Sequence, residues 1–304
     1  MKAETAIIKT LSYFDVFNFP LTKEELLNYL WQGHEQNEVE VNTALQALVS
    51  AGKVGGVGSY YFLPGREDII VKRNLAVAHT EKKLRRAQFA IKLISGIPFL
   101  KAVFVCNSVA AETASAESDI DFFIVSAEGR LWLVRFFSNL ILRVLGLRTG
   151  KLHSANRVCL SFFVGEKHLD LTGLRICEED IYLVYWLRQL YPLYDPKNFL
   201  IKIWRANGWA KDYLKLPSAS AVKNEKPDQF KIIIERALQG KTGDGYEKIL
   251  KKIQWSKLRP ELKKLAEENG KEVVINEGVL KFHETDARMR IRETWLKNIQ
   301  KYVS

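Results

Sequence analysis

Apolar positions near the start of the chain predict three short helices followed by a hairpin. Apolar side chains recur at helical spacing over residues 7–17. Residues 22–25, Thr-Lys-Glu-Glu, match a capping box, in which the threonine hydroxyl accepts from the third amide of a helix and the glutamate reaches back. A further apolar stripe covers residues 41–49, and the Gly-rich residues 54–63 predict two short strands.

Residues 68–95 are expected to form one long helix that links this segment to the rest of the chain. Its basic side chains are Lys72, Arg73, Lys82, Lys83, Arg85, Arg86 and Lys92. A solvated helical face explains such a run of charges, and a surface that meets phosphates is the alternative.

After the long helix, the pattern changes to strands around one helix and then becomes mostly helical. Strands are predicted over residues 101–106, 120–125, 157–164 and, as a hairpin, 273–282. Helices are predicted over residues 131–147, 178–191, 198–214 and 286–302. The polar residues 217–227 between these helices predict a linker.

The composition indicates several packed units and no membrane span. With 304 residues, 47% of them hydrophobic, we expect two or three cores. The apolar stretch 131–147 contains Arg135 and Arg143, which are costly in lipid, so a buried helix explains it better. The first twelve residues lack a signal-peptide pattern, and three cysteines without a Cys-x-x-Cys pair disfavour disulfides and structural zinc. The prediction is a cytoplasmic protein with no membrane partner.

The formal charge of +11 is distributed unevenly along the chain. Residues 1–66 contain five Lys/Arg and seven Asp/Glu, a net charge of −2, so the remainder carries +13. Because attraction to phosphates supplies most nonspecific affinity for nucleic acids, the first segment is expected to be a poor reader of duplex DNA. The excess in the remainder favours a polyanionic partner such as RNA.

The chemically informative stretch joins two predicted strands. The first strand ends in Asn107 and Ser108, and after ten intervening residues Asp119 and Asp121 open the next. Residues two apart on a strand point to one face, so both carboxylates are expected at one site. Mg²⁺ or Mn²⁺ favours such oxygen ligands together with phosphates and water.

This spacing resembles the polymerase-beta-like nucleotidyltransferases, in which an apolar strand ends in Gly-Ser and Asp-x-Asp opens the next. The resemblance implies two-metal catalysis on an NTP, with Asp119 and Asp121 as catalytic metal ligands. It also implies that Asn107 and Ser108 bind the triphosphate. The order of the segments is similar to that in a bacterial group with a winged helix before such a core and a helical tail after it.

The sequence departs from the family pattern at two positions. Asn107 stands where the family has glycine, although asparagine tolerates the left-handed conformation that such a turn needs. The third carboxylate of the family belongs on the strand predicted over 157–164, which contains none, and Ser161 is the expected occupant. Arg130, just before the following helix, is predicted either to approach the triphosphate or to remain a solvated side chain.

The first segment resembles a winged-helix domain, whose third helix usually enters the DNA major groove. Here residues 37–52 hold Glu38 and Glu40 and no lysine or arginine, so an intramolecular or protein-docking role is favoured over duplex DNA binding.

We therefore predict a mixed α+β protein of four segments. They are a winged-helix domain over 1–66, a basic connecting helix over 67–100, a nucleotidyltransferase core with a small α/β sheet over 101–176, and a helical region over 177–304. The expected activity is transfer of a nucleoside monophosphate from an NTP to a hydroxyl of RNA, protein or a small molecule. The alternative is a catalytically impaired regulator that binds nucleotides or nucleic acid.

Overall fold

The computed structural model describes residues 2–33, 36–150, 153–215, 229–268 and 270–303. Within these ranges the chain is a mixed α/β protein whose six-stranded sheet has helices on both faces. The linker predicted over residues 217–227 lies outside the described residues. None of the described helices is both long enough and apolar enough to span a membrane.

The N-terminal segment folds as three helices and a small sheet. The helices are α1 (Ala3–Val16), α2 (Lys23–Asn28) and α3 (Glu38–Ser50). The strands, in the spatial order β1-β3-β2, are β1 (Leu21–Thr22), β2 (Gly55–Val57) and β3 (Tyr60–Phe62). The predicted capping box is confirmed, because the Glu25 amide donates to Thr22 Oγ1 at 3.2 Å and the Thr22 amide donates to Glu25 Oε2 at 2.8 Å. A second capping box, formed by Asn37 and Glu40, begins α3.

The helix predicted over residues 68–95 is confirmed as α4 (Ile69–Ile94). Two of its basic side chains are internal. Arg73 forms an ion pair with Glu25, with 2.6 Å between Nη1 and Oε2, and Lys83 is buried against the loop that precedes β5 (Ile120–Ser126). The exposed ones are Lys72, Lys82, Arg85, Arg86 and Lys92. Most of the predicted basic face is therefore in contact with solvent.

The central sheet has the strand order β7-β4-β5-β6-β9-β8. The other strands are β4 (Leu100–Val105), β6 (Val158–Gly165), β7 (Tyr191–Tyr194), β8 (Val273–Ile275) and β9 (Val279–Phe282). The β5–β6 pair is parallel and the other pairs are antiparallel. Three strands come from beyond residue 176, so the sheet extends past the segment to which the sequence assigned it.

The remaining helices cover the sheet and its edges. They are α5 (Asn107–Ala110), α6 (Leu131–Val144), α7 (Ile181–Gln189), α8 (Phe199–Ala206), α9 (Gln229–Ala237), α10 (Gly240–Ser256), α11 (Pro260–Glu267) and α12 (Arg288–Val303). The helix predicted over 178–191 is wrong at its C-terminal end, because Tyr191 begins β7. The helix predicted over 198–214 ends at Ala206, and a 3-10 turn occupies Gly208–Asp212.

The two faces of the sheet have separate cores. Phe122 and Ile124 of β5 pack with α4 and α6, whereas Phe123 and Val125 pack in a core shared by α1, α7 and α12. In the second core the Trp295 indole N–H donates to the carbonyl of Lys9 at 2.9 Å. The two ends of the chain are thereby packed over the same face of the sheet.

Candidate active site

The alternation of side chains along β5 determines on which face of the sheet the acid pair lies. Because neighbouring strand residues point to opposite faces, Asp121 shares a face with Phe123, on the side of α7 and α12. Asp119 lies two residues earlier. The parallel pairing of β5 with β6 places Cys159 opposite Asp121. Candidate ligand atoms of Asp119, Asp121 and Cys159 all lie within 4.8 Å of one another.

The two carboxylates are close together in a partly desolvated setting. Burial raises the pKa of Asp121 to about 7, and the negative charge of Asp119 adds to the rise. Burial also raises the pKa of Asp119, whereas the positive charges of Arg148 and Lys83 lower it. Within the described part of the chain, no lysine or arginine forms a direct ion pair with either carboxylate. The pair is thus a concentration of negative charge that Arg148 and Lys83 offset in part without a direct contact.

Asn107 lies between this acid pair and helix α7. Its φ of 56° is left-handed, as predicted for the residue that replaces glycine in the turn after β4. Its side-chain oxygen accepts from the Trp186 indole N–H at 3.0 Å and from the Tyr182 hydroxyl at 3.3 Å. A hydrogen bond from the same side chain lowers the pKa of Asp121 and so favours its ionised form. Asn107 therefore connects the acids to α7.

Ser108 follows in the short helix α5 and lines a cavity of about 640 Å³ together with Asn107. The cavity extends over the same face of the sheet toward His283, which follows β9. The structure thus brings Asn107, Ser108, Asp119 and Asp121 into one region, as the sequence predicts.

Ser161 is not the residue that lies opposite the acid pair. The pairing of β5 and β6 shifts between Asp121 and Phe123, and Ser161 lies in the irregular part of β6. Its hydroxyl is 3.1 Å from His283 Nε2. The residue next to the acids is Cys159, whose pKa burial raises to about 12, with contributions from both carboxylates. The sequence offers no local signal for this because the shift in pairing is a tertiary feature.

Arg130 lies far from the acid pair. It precedes α6 at the opposite end of the seven-residue strand β5, roughly 20 Å away at the rise of an extended chain. Its guanidinium is buried and donates to Asp244 of α10 at 2.8 Å. The first amides of α6 donate to the Glu247 carboxylate, at 2.7 Å from Trp132 and 2.9 Å from Leu133. Arg130 therefore neither approaches the acid pair nor remains solvated, because Asp244 of α10 binds its buried guanidinium.

Lys83 holds the loop that presents Asp119. Its ammonium donates to the carbonyl of Ser118 at 2.7 Å, to Asn156 Oδ1 at 2.9 Å and to the carbonyl of Ala116 at 3.2 Å. The side chain is 1% exposed. Buried cations are costly unless they are fully hydrogen-bonded, so these three bonds fix the loop firmly.

Comparison with known proteins gives no match to any family model, curated sequence or solved structure.

The donor set fits a divalent cation. Two carboxylates that pair directly with no cation among the described residues offer oxygen ligands, and the adjacent sulfur offers a third position. Oxygen ligands suit Mg²⁺ and Mn²⁺, whereas a thiolate suits softer ions such as Zn²⁺. Asp119 and Asp121 are thus the residues that would hold Mg²⁺ or Mn²⁺, and Cys159 is a poor third ligand for Mg²⁺.

Proposed function

We propose that this protein is a nucleotidyltransferase of the polymerase-beta-like kind, which moves a nucleoside monophosphate from an NTP to an acceptor hydroxyl. The observation that carries the proposal is the pair of partly buried carboxylates, Asp119 and Asp121, with which no cationic side chain in the described ranges forms an ion pair. Asn107, in the turn after β4, is hydrogen-bonded to Asp121, and Ser108 follows it in α5. An apolar strand followed by Asn-Ser, and then a strand opened by the acid pair, is the order that the resemblance implies.

In this proposal each residue of the site has a separate role. Asp119 and Asp121 hold the divalent ions, which when bound would neutralise phosphate charge and polarise the reacting groups. Ser108 donates its hydroxyl to the triphosphate. The acceptor oxygen attacks the α-phosphorus, the bond to the β-phosphate breaks and pyrophosphate leaves. The proton of the acceptor hydroxyl passes to water.

The N-terminal segment fits a winged helix that serves the rest of the chain. Its order of helix, strand, helix, helix and two strands supports that assignment. The contact of Trp31 with Trp295, with ring centroids 5.7 Å apart, supports an intramolecular role for the segment. We do not propose duplex DNA as its partner, because α3 carries Glu38 and Glu40 and no basic residue.

The direct test is label transfer from each α-³²P-labelled NTP with Mg²⁺ or Mn²⁺, using total RNA, cell protein and a small-molecule extract as acceptors. We expect label on one acceptor class with wild type and a loss of at least about a hundredfold in Asp119→Asn and Asp121→Asn. Asp212→Asn, an exposed position, is the matched control and should retain activity. Equal labelling by all four proteins would overturn the proposal.

The alternative function is a nucleotide-binding regulator without turnover. It is favoured by Cys159, because a thiol stands where the family places its third carboxylate. In that case NTP binds with a divalent ion and no acceptor is labelled. Equilibrium dialysis with a labelled NTP, run beside the transfer assay, separates the two, since the enzyme gives both binding and transfer.

A further inference from the structure

The cavity beside the acid pair is too large to be a packing defect. Protein cores contain few voids larger than a water molecule, whereas small-molecule sites are clefts of roughly 300–1,000 Å³. This cavity measures about 640 Å³. Its walls come from α1, α5, β6, α7, β9 and the beginning of α12, so its shape depends on both ends of the chain.

The walls of the cavity are largely aromatic. The rings that line it belong to Tyr13, Phe14, Phe17, Phe162, Tyr182 and Trp186. Trp186 and Phe162 pack against each other, with ring centroids 5.7 Å apart. Aromatic walls of this kind favour a flat ring, which gains both buried area and favourable ring geometry.

The charged groups at the cavity are largely paired with one another. Arg288 donates to Asp180 at 2.9 Å and to Asp286 at 2.6 Å, and the Lys281 ammonium lies 3.7 Å from Asp286. His283 is held neutral, because burial lowers its pKa to about 4. Arg290 is exposed at the rim. This balance does not favour a polyanion inside the cavity.

The acid pair does not itself line the cavity, and Asn107 lies between the two. Asn107 and Ser108 are wall residues, and Asn107 is also hydrogen-bonded to Asp121, Trp186 and Tyr182. A molecule in the cavity would therefore lie one side chain away from Asp121. A long RNA or protein chain does not fit in such a volume.

We infer that this cavity binds a small, uncharged molecule or group with a planar ring, held between α1 and α7 beside the acid pair. Two sources offer that chemistry: the nucleoside part of an NTP and an aromatic acceptor alcohol. The assignment of this ligand as a substrate rests on the proposed function, whereas its binding does not. The N-terminal segment then contributes three ring side chains to the site, which gives it a role without DNA.

Calorimetric titration of the full chain in EDTA tests this inference. The probes are adenosine, guanosine, cytidine and uridine in one arm, benzyl alcohol and tyrosol in a second, and decauridylate in a third. We expect at least one small molecule to bind one-to-one with a Kd below about 1 mM. Nucleoside binding identifies the first source and alcohol binding the second. Binding of none of the six small molecules would overturn the inference.

Two substitutions that fill the cavity from two of its walls locate the binding. Ala287→Phe and Ala111→Phe place a ring where wall alanines now stand, and each should weaken binding at least about tenfold. Ala237→Phe, at an exposed position on α9, is the matched control. Circular dichroism and thermal unfolding show which variants fold. The proposed site would be contradicted if both variants fold and bind the small molecule with unchanged affinity. It would also be contradicted if decauridylate binds to wild type and the two variants abolish that binding.

Asp119→Asn separates this inference from the proposed function. The variant should bind the same small molecule as wild type while losing label transfer. If the small molecule binds in the cavity and no protein transfers label, the inference is supported and the proposed nucleotidyltransferase activity is contradicted. If label is transferred and no small molecule binds in the cavity, the proposed activity is supported and the inference is contradicted.

Discussion

Replacement of Asp121 by asparagine should stabilise the protein without metal, because the carboxylate is held in an unfavourable setting. Its pKa is about 7 in the folded chain against 3.8 for an ordinary aspartate. Since one pKa unit corresponds to about 1.4 kcal/mol, the shift sets an upper limit of about 4 kcal/mol. The side chain keeps some solvent contact and shares its repulsion with Asp119, so we expect a gain of about 1–3 kcal/mol.

The sign of this effect depends on pH. An acid with a raised folded pKa binds its proton more tightly in the folded state, so the penalty is absent below about pH 4. It grows between pH 4 and pH 7 and is complete above pH 7. The Asp121→Asn variant should therefore exceed wild type in free energy of unfolding at pH 8 and show a smaller gain at pH 5.

Urea unfolding in EDTA at pH 5 and pH 8 measures this difference. Asp212→Asn, at an exposed site, is the control and should change stability little at either pH. Adding Mn²⁺ at pH 8 should stabilise wild type more than Asp121→Asn, because the ion needs the carboxylate. A variant less stable than wild type at pH 8, or an equal gain at both pH values, would refute the electrostatic explanation of the site.

Three further substitutions test the position beside the acid pair, the loop that precedes Asp119 and the start of α6. Cys159→Asp should increase the Mg²⁺-induced rise in Tm relative to wild type and to Cys159→Ser, because it supplies an oxygen ligand; an unchanged rise would place the ion elsewhere. Lys83→Met should lower the free energy of unfolding by about 1–3 kcal/mol in urea titration, since three acceptors lose their donor; no loss would mean that the loop is held otherwise. Glu247→Ala should cost about 1 kcal/mol by the same measurement, because two α6 amides lose their acceptor, and a stability equal to wild type would argue against that contact.

The features that the sequence predicts well depend on neighbouring residues. The capping box at Thr22 needs only a spacing of three, and the apolar run of β5 is long enough to be a buried strand. The left-handed turn at Asn107 also follows from a local preference. The acid pair shares a face for the same reason, because alternation along a strand is local.

The features that sequence reasoning missed depend on contacts between distant segments. β7 follows α7 directly and contains Pro192, which is tolerated because β7 lies at the edge of the sheet. The position of Cys159 beside the acids depends on the pairing of β6, and its apolar pattern alone cannot give that register. The carboxylates that hold Arg130 and the start of α6 come from more than a hundred residues away.

The most direct test of the central claim is a crystal structure with Mn²⁺ and an α,β-nonhydrolysable NTP. We predict an anomalous Mn²⁺ peak bound by Asp119 and Asp121, with the triphosphate in contact with Ser108. A triphosphate bound away from Ser108, or Mn²⁺ at sites that exclude both carboxylates, would contradict the proposed nucleotidyltransferase site.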